Sequence, residues 1–414
     1  MNVLRLAFAY ARRRPLATLL NVALLAVGVA TITLVILLTS ELDSQMRREA
    51  QGIDLVVGAK GSPLQLVLAG IYHADVPPGN IPLAAIEMLR QNPLIAEVIP
   101  LALGDSFRGY RIVGTEPAFV AHYGAQTADG TLWSAPLEVV LGSDVARVSG
   151  LRVGGTLKGS HGLAEGGAEH SDAPYRIVGV LAPTRTVIDR LVVTGIDSVW
   201  KVHEHHDDDD ENEKESAAHV DHAKTGGAPP PPAGREVTFA LVKYASPVAA
   251  ASLPRMINAT TALQSASPAY ETARLLTVFG VGTDVIRGFA LLLIAASAFG
   301  LFVALTQALD ERRYDLAIMR ALGAPRGKIV AVLLLESVML AALGLALGLA
   351  VAHGVTAHVG VWLPAATPLE TGAWTWRREE WSVVALALGA GIMATLIPAW
   401  RAYRLDVSAT LADG

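Results

Sequence analysis

Four stretches of this chain are apolar for longer than a folded core requires. Residues 15–40, 285–309, 329–352 and 382–400 each hold about twenty residues or more with almost no charge. A helix needs about 20 such residues to cross a hydrocarbon core roughly 30 Å thick, so each stretch is predicted to be a transmembrane helix. The first is longer than the apolar region of a cleaved signal peptide (about 7 to 15 residues) and is read as an uncleaved span. Ahead of it, Arg5, Arg12, Arg13 and Arg14 interleave with Leu4, Leu6, Phe8 and Tyr10. That pattern predicts an amphipathic helix over residues 1–14 lying on the membrane surface.

The long interval 41–284 has no span, and its pattern changes. Short β-branched runs bounded by glycine, proline or charge, at residues 138–142, 175–181, 191–194 and 237–242, predict strands, whereas 81–91 and 247–261 predict helices. The expected fold class is an α-helical membrane protein with four transmembrane helices plus a large mixed α/β extracytoplasmic domain between helices 1 and 2. Residues 353–381, with Trp362, Trp374 and Trp376, are expected to form an outer loop, and 401–414 a tail.

Charge orients this arrangement. Residues 310–328 carry Arg312, Arg313, Arg320, Arg326 and Lys328 between two spans, and short basic loops stay in the cytoplasm. Both termini are then cytoplasmic and 41–284 lies outside, with Arg287 and Trp381 as outer anchors and Trp400 and Arg401 at the inner end. Within the basic loop, Tyr314, Leu316, Ile318, Met319 and Leu322 recur at helical spacing before Gly323 and Pro325 stop the helix. A short amphipathic helix tied to the membrane at both ends is suited to receive force from a soluble partner. The simpler reading is a basic loop that only sets topology.

The run ERRYDLAIMRALGA at residues 311–324 resembles the coupling-helix signature of ABC-transporter permeases of the macrolide-exporter and FtsX-like superfamily, with Asp315 where glutamate is more usual. The end IPAWRAYRLDVSATLADG resembles the same family's C-terminal pattern. GLRVGGTL at 150–157 and VGVLAPTRTVIDRLVV at 178–193 resemble segments of its outer domain. The resemblance implies a four-helix, mechanotransmission-type permease of the bacterial inner membrane, working as a dimer with a separate ABC ATP-binding subunit. It also implies that Glu311, Arg313, Asp315, Arg320, Ala321, Leu322 and Gly323 contact that ATPase, supported by Arg401 and Arg404. The segment 54–68 matches a subgroup and is assigned no role.

The chain itself shows no catalytic apparatus. Gly323–Ile329 has the wrong spacing for a phosphate-cradling G-x-x-x-x-G-K-[ST] loop, and no G-x-S-x-G elbow or cysteine nucleophile is present. ATP and Mg are therefore expected only through the partner, and with the first span opening at Leu16, no fused ATPase is expected. Without cysteines there are no disulfides or thiolate metal sites, and a net charge of −5 makes no case for nucleic acid.

Residues 203–222 hold His203, His205, His206, His219 and His222 among nine acids, a ligand set for zinc, copper or nickel. The simpler reading is a disordered acidic surface loop within 202–234, with the proline run 229–232 as a linker. His73 with Asp75, His122, His161 and His170 are further, weaker metal candidates. Glu336 falls in the third span, where a carboxylate is costly. It reads either as part of an ion path or as an interhelical partner, and the resemblance favours the partner. Gly344 and Gly348 form a G-x-x-x-G packing signal. Function is thus expected to be ATP-driven movement of the outer domain, either in zinc or metal handling with a periplasmic metal-binding protein, or in export of a lipoprotein or hydrophobic compound with a periplasmic adaptor. A non-transporting scaffold that activates a periplasmic partner is the third reading.

Overall fold

A computed structural model describes residues 15–160, 174–202, 235–311, 313–323, 325–362 and 376–404. The expected surface helix over 1–14, the tail beyond 404 and residues 363–375 of the outer loop lie outside these. The chain divides into two units, one of Met1–Asp43 with Thr277–Gly414 and the other Ser44–Leu276.

In chain order, α1 (Pro15–Glu49) leads into β1 (Leu55–Ala59), α2 (Pro63–Gly70), β2 (Ile81–Pro82), α3 (Leu83–Arg90), β3 (Ile95–Phe107) and β4 (Tyr110–Thr115). Next come α4 (Pro117–His122), β5 (Thr127–Gly130), β6 (Glu138–Leu141), α5 (Ser143–Ser149), β7 (Thr156–Leu157) and β8 (Tyr175–Leu181). A 3-10 turn at Val187–Arg190 precedes β9 (Val192–Gly195), β10 (Glu236–Val237), β11 (Phe239–Tyr244), α6 (Pro247–Thr260) and β12 (Leu263–Ala266). The chain then enters α7 (Pro268–Glu311), α8 (Arg313–Ala321), α9 (Arg326–Trp362) and α10 (Glu380–Tyr403).

The α/β unit is built on one mixed sheet of order β12-β1-β11-β3-β4-β9-β6-β8-β5, with β7 on β8, and β2 pairs with β10 apart from it. Neighbours are antiparallel except β4 with β9 and β6 with β8. Side chains alternate between faces along a strand, and here both faces are covered. Val56, Leu101, Val113, Val193 and Leu241 pack with Leu66 and Val67 of α2 and Phe119 of α4. Their neighbours Leu55, Val57, Val98 and Val242 pack on the other face with Ile86 of α3 and Leu253 and Ile257 of α6. Residues 54–68, without a role in the sequence, supply β1 and α2 to this core.

The helices α1, α7, α9 and α10 are each long and apolar enough to cross a membrane. Three run well beyond the spans the hydropathy pattern predicts, and the fourth by two or three residues at each end. The first continues from 40 to Glu49, the second begins at Pro268 rather than 285, and the third turns residues 353–362 of the expected outer loop into helix. Hydropathy falls at the first charges, but Glu41, Leu42, Gln45, Met46 and Arg47 are good helix formers and carry the helix on. Pro268 sits at a helix start, where its missing N–H costs nothing.

In the helical unit, α9 packs on α1 through Gly344 and Gly348. A Cβ at Gly348 would lie 2.7 Å from Val29 and from the Ala26 carbonyl, so only glycine permits this approach. Ser297 of α7 donates to the Asn21 carbonyl of α1 at 2.8 Å, and Ser337 of α9 to the Gly391 carbonyl of α10 at 2.7 Å.

Candidate functional site

The short helix α8 connects α7 to α9 and carries the residues the sequence singles out. Glu311 ends α7 on an exposed turn, and Arg313 pairs with Asp310 at 2.8 Å across the break. Both partners are half exposed, so this ion pair contributes little stability. Asp315 lies within the helix, and Arg320 and Ala321 close it. Leu322 N–H still reaches the Ile318 carbonyl at 3.0 Å and Gly323 N–H the Arg320 carbonyl at 2.9 Å. Gly323 then turns left-handed at φ 93° and ends the helix, as a C-terminal glycine does.

The two sides of α8 differ. Ala317 is fully buried and Met319 packs partly against the bundle cluster of Leu301, Leu305 and Leu333. Tyr314, Ile318 and Leu322, spaced by four, are exposed, Leu322 by 82%. Large apolar side chains at i, i+4 and i+8 form one stripe on the outer side. Nearby, Arg326 lies over the Tyr403 ring at 5.5 Å and Arg404 over Trp400 at 4.2 Å, while Arg401 is exposed. Glu336 is buried inside the bundle, where a carboxylate facing helices rather than lipid is expected.

A second cluster, which the sequence did not suggest, lies within the α/β unit and holds the segments of α1 and α7 that belong to it, residues 44–49 and 268–276. The Glu49 carboxylate at the end of α1 pairs with Arg190 at 2.8 Å and accepts from Gln45 at 3.2 Å, while its carbonyl accepts from Tyr123. Tyr72 donates its one hydroxyl proton to the Met46 carbonyl of α1, at 3.3 Å, so its oxygen accepts from Thr272 of α7 at 2.8 Å. One side chain thus grips the ends of both helices. These partners stand far apart in sequence, so no local pattern betrays them. In the helical unit, Glu380 meets His353 Nε2 at 3.0 Å and Arg377 meets Glu41 at 3.0 Å, linking α10 to α9 and the turn before α10 to α1.

The metal candidates that lie among the described residues, His73 with Asp75 and His122, form no metal-binding group. His203, His205, His206, His219, His222, His161 and His170 lie outside the described residues. His73 is buried with neither ring nitrogen hydrogen-bonded among the described residues. Burial, with Arg111 and Arg190 adding to it, pushes its pKa down to about 3. Asp75 caps the Val76 N–H at 2.7 Å rather than turning to His73. Burial likewise lowers His122. Among the described residues, no group of three or more histidines and carboxylates could hold a metal ion.

Four membrane-length helices with an α/β domain inserted between the first two define a multi-pass membrane protein. Two family models match it, the MacB-like periplasmic core domain over residues 18–253 and the FtsX-like permease C-terminal over residues 287–407. The first covers more than half of the chain, and the chain belongs to the family of FtsX-like permeases with a MacB-like periplasmic core domain. It is 27% identical over 144 residues to the ABC transporter permease YtrF of Bacillus subtilis (strain 168), which is 32% of this chain and 32% of that protein. The chain therefore spans about a third of that curated relative's length. Similar solved structures include the periplasmic region of MacB from Actinobacillus actinomycetemcomitans, at 13% identity and TM-score 0.34, covering 56% of this chain and 97% of that one. The extracellular domain of the noncanonic ABC-type transporter YknZ from Gram-positive bacteria matches at 11% identity and TM-score 0.29, covering 51% of this chain and 98% of that one.

Proposed function

We propose that this chain is the membrane subunit of an ABC system of the MacB/FtsX type, and that a separate ATPase subunit docks on α8 and moves it as ATP binds and is hydrolysed. The observation that carries this reading is the exposed stripe of Tyr314, Ile318 and Leu322 on a helix whose other side is seated on the bundle. A seated helix with an outward apolar stripe can take up a partner and pass on its displacement. Motion then travels along α1 and α7, whose outer ends are gripped by Tyr72, Glu49 and Arg190. The chain works as a dimer in the bacterial inner membrane with both termini cytoplasmic, a placement supported by the basic residues flanking α8. Leu322→Asp tests the docking. In a reconstituted complex it should abolish stimulation of ATPase turnover by the permease, at least tenfold, while leaving the thermal unfolding of the purified chain unchanged. Undiminished stimulation and co-purification would sink the reading.

Zinc handling is a second reading for the cargo, and its support is the histidine and acid content of residues 203–222. Calorimetry on the full chain, beside a version lacking 202–224, should show micromolar zinc binding that disappears with the tract. Equal binding in both would leave export of a hydrophobic compound or lipoprotein, or activation of a periplasmic partner, as the roles to pursue.

A further inference from the structure

The last turn of α10 gathers cations without gathering acids. Trp400, Arg401, Tyr403 and Arg404 are exposed there, while Ala399 and Ala402 turn into the bundle. Arg404 lies over the Trp400 ring at 4.2 Å, and Arg326, from the start of α9, over the Tyr403 ring at 5.5 Å. A stacked guanidinium is held by its flat face and keeps its N–H edge open to a phosphate. Among the described residues, no carboxylate pairs with Arg326, Arg401 or Arg404. Of the acids at the end of α7, Asp310 is taken by Arg313, and Asp406, next along the chain, lies outside the described residues. Arg326 also opens α9, where the helix dipole disfavours a cation, and that first turn holds no acidic residue to offset it.

The same side of α10 is apolar before it reaches this turn. Met393, Leu396, Ile397 and Trp400 are exposed at spacings of three and four, which places them in one stripe along the helix. At about 100° per residue, Arg404 continues that stripe, with Arg401 on one flank and Tyr403, carrying Arg326, on the other. From Met393 to Arg404 the helix rises about 16 Å, close to one leaflet's share, about 15 Å, of the hydrocarbon core. An acyl chain laid on the stripe therefore ends at the arginines. One interfacial tryptophan with one cation anchors a helix in any lipid, whereas three cations without a counter-charge select an anion. We propose that this end of α10, with Arg326, is a binding site for an anionic phospholipid of the surrounding leaflet. Its chain runs along Met393 and Ile397, and its phosphate meets Arg404 and Arg401.

The test uses the full chain purified in a neutral detergent, with bound phospholipids counted by native mass spectrometry during a titration. Phosphatidylglycerol should bind about tenfold more tightly than phosphatidylcholine, whose choline brings a further cation to the arginines. Arg401→Gln combined with Arg404→Gln should cut that preference to about twofold or less. Arg326→Gln, on the other helix, should lower it by itself. Thermal unfolding of both variants should match the wild type, because all three side chains are exposed. Equal binding of the two lipids to the wild type would overturn the site. So would a preference that survives in the double variant, and if that variant also lost co-purification with the ATPase, these arginines would belong to the protein partner instead.

Discussion

Asp189 and Glu380 are both carboxylates with almost no exposed surface, 4% and 0%, yet they are satisfied in opposite ways. Asp189, in the α/β unit, accepts the N–H groups of Thr184 and Arg185 and the Thr184 hydroxyl, all within five residues of itself. It folds a turn. Glu138 does the same with the Ser134 and Ala135 N–H groups, and these bonds, with Arg176, hold its carboxyl below the usual range. Glu380, in the helical unit, accepts one local N–H from Arg377 but also meets His353 on another helix. Its backbone amides are committed to the helix, so buried polar groups there find partners on neighbouring helices. The α/β unit thus fixes its shape by local turn chemistry, and the bundle by a few polar links between closely packed rods.

Asp189→Ala should show the largest effect. Removing the carboxylate strands two part-buried N–H donors and a hydroxyl and should cost on the order of 3 kcal/mol, lowering the α/β transition by on the order of 10 °C in a fluorescence melt. A loss under 1 kcal/mol would mean that the turn is held by something else. Next, Gly348→Val forces a Cβ into Val29 and the Ala26 carbonyl. Overpacking of this kind costs about 2 kcal/mol, to be read from a shift in detergent-induced unfolding of the helical transition with the α/β transition unmoved. If both move together, the two units do not melt independently and the comparison fails.

The smallest effect belongs to His73. Its pKa is about 3 when folded against roughly 6.5 unfolded, so below pH 6.5 the unfolded state binds the extra proton. Stability is therefore full above pH 6.5 and falls as the pH drops toward 3, by up to about 1.4 kcal/mol per pH unit. His73→Asn should flatten that slope, since asparagine tolerates the left-handed φ of 51° found there. An unchanged acid limb, measured by denaturant midpoints between pH 7 and pH 5, would place the titration elsewhere.

How much of this was legible in the sequence follows from the same contrast. The four spans were, because some twenty nearly uncharged residues in a row exceed what the core of a soluble domain needs. Strands such as Glu138–Leu141 and Tyr175–Leu181 were, because glycine or proline follows or precedes a β-branched run. The spacing showed one apolar stripe of Tyr314, Leu316, Ile318, Met319 and Leu322, but not its division, with Met319 against the bundle and Tyr314, Ile318 and Leu322 exposed. Helix ends were not, since hydropathy drops at Glu41 while helix propensity does not. Nor was the grip on the helix ends, because Glu49 and Arg190 meet only after the sheet has brought them together. His73 shows the converse. As one histidine near an acid it suggested a ligand, and burial instead makes it neutral and solitary.

The helix α7 runs unbroken for 44 residues from Pro268 to Glu311, and this has a consequence for angular phase. Each residue advances a helix by about 100°, so within residues 277–311 the face that brings Ser297 to the Asn21 carbonyl and the face on which Leu301, Leu305 and Leu309 pack are locked to one another by residue count alone. One residue inserted between Ser297 and Leu301 would turn the rest of the helix by about 100° against the first part. Seven inserted residues would return it to within about 20° while lengthening the rod by about 10 Å. The protein is thus expected to tolerate added length in this helix far better than added twist.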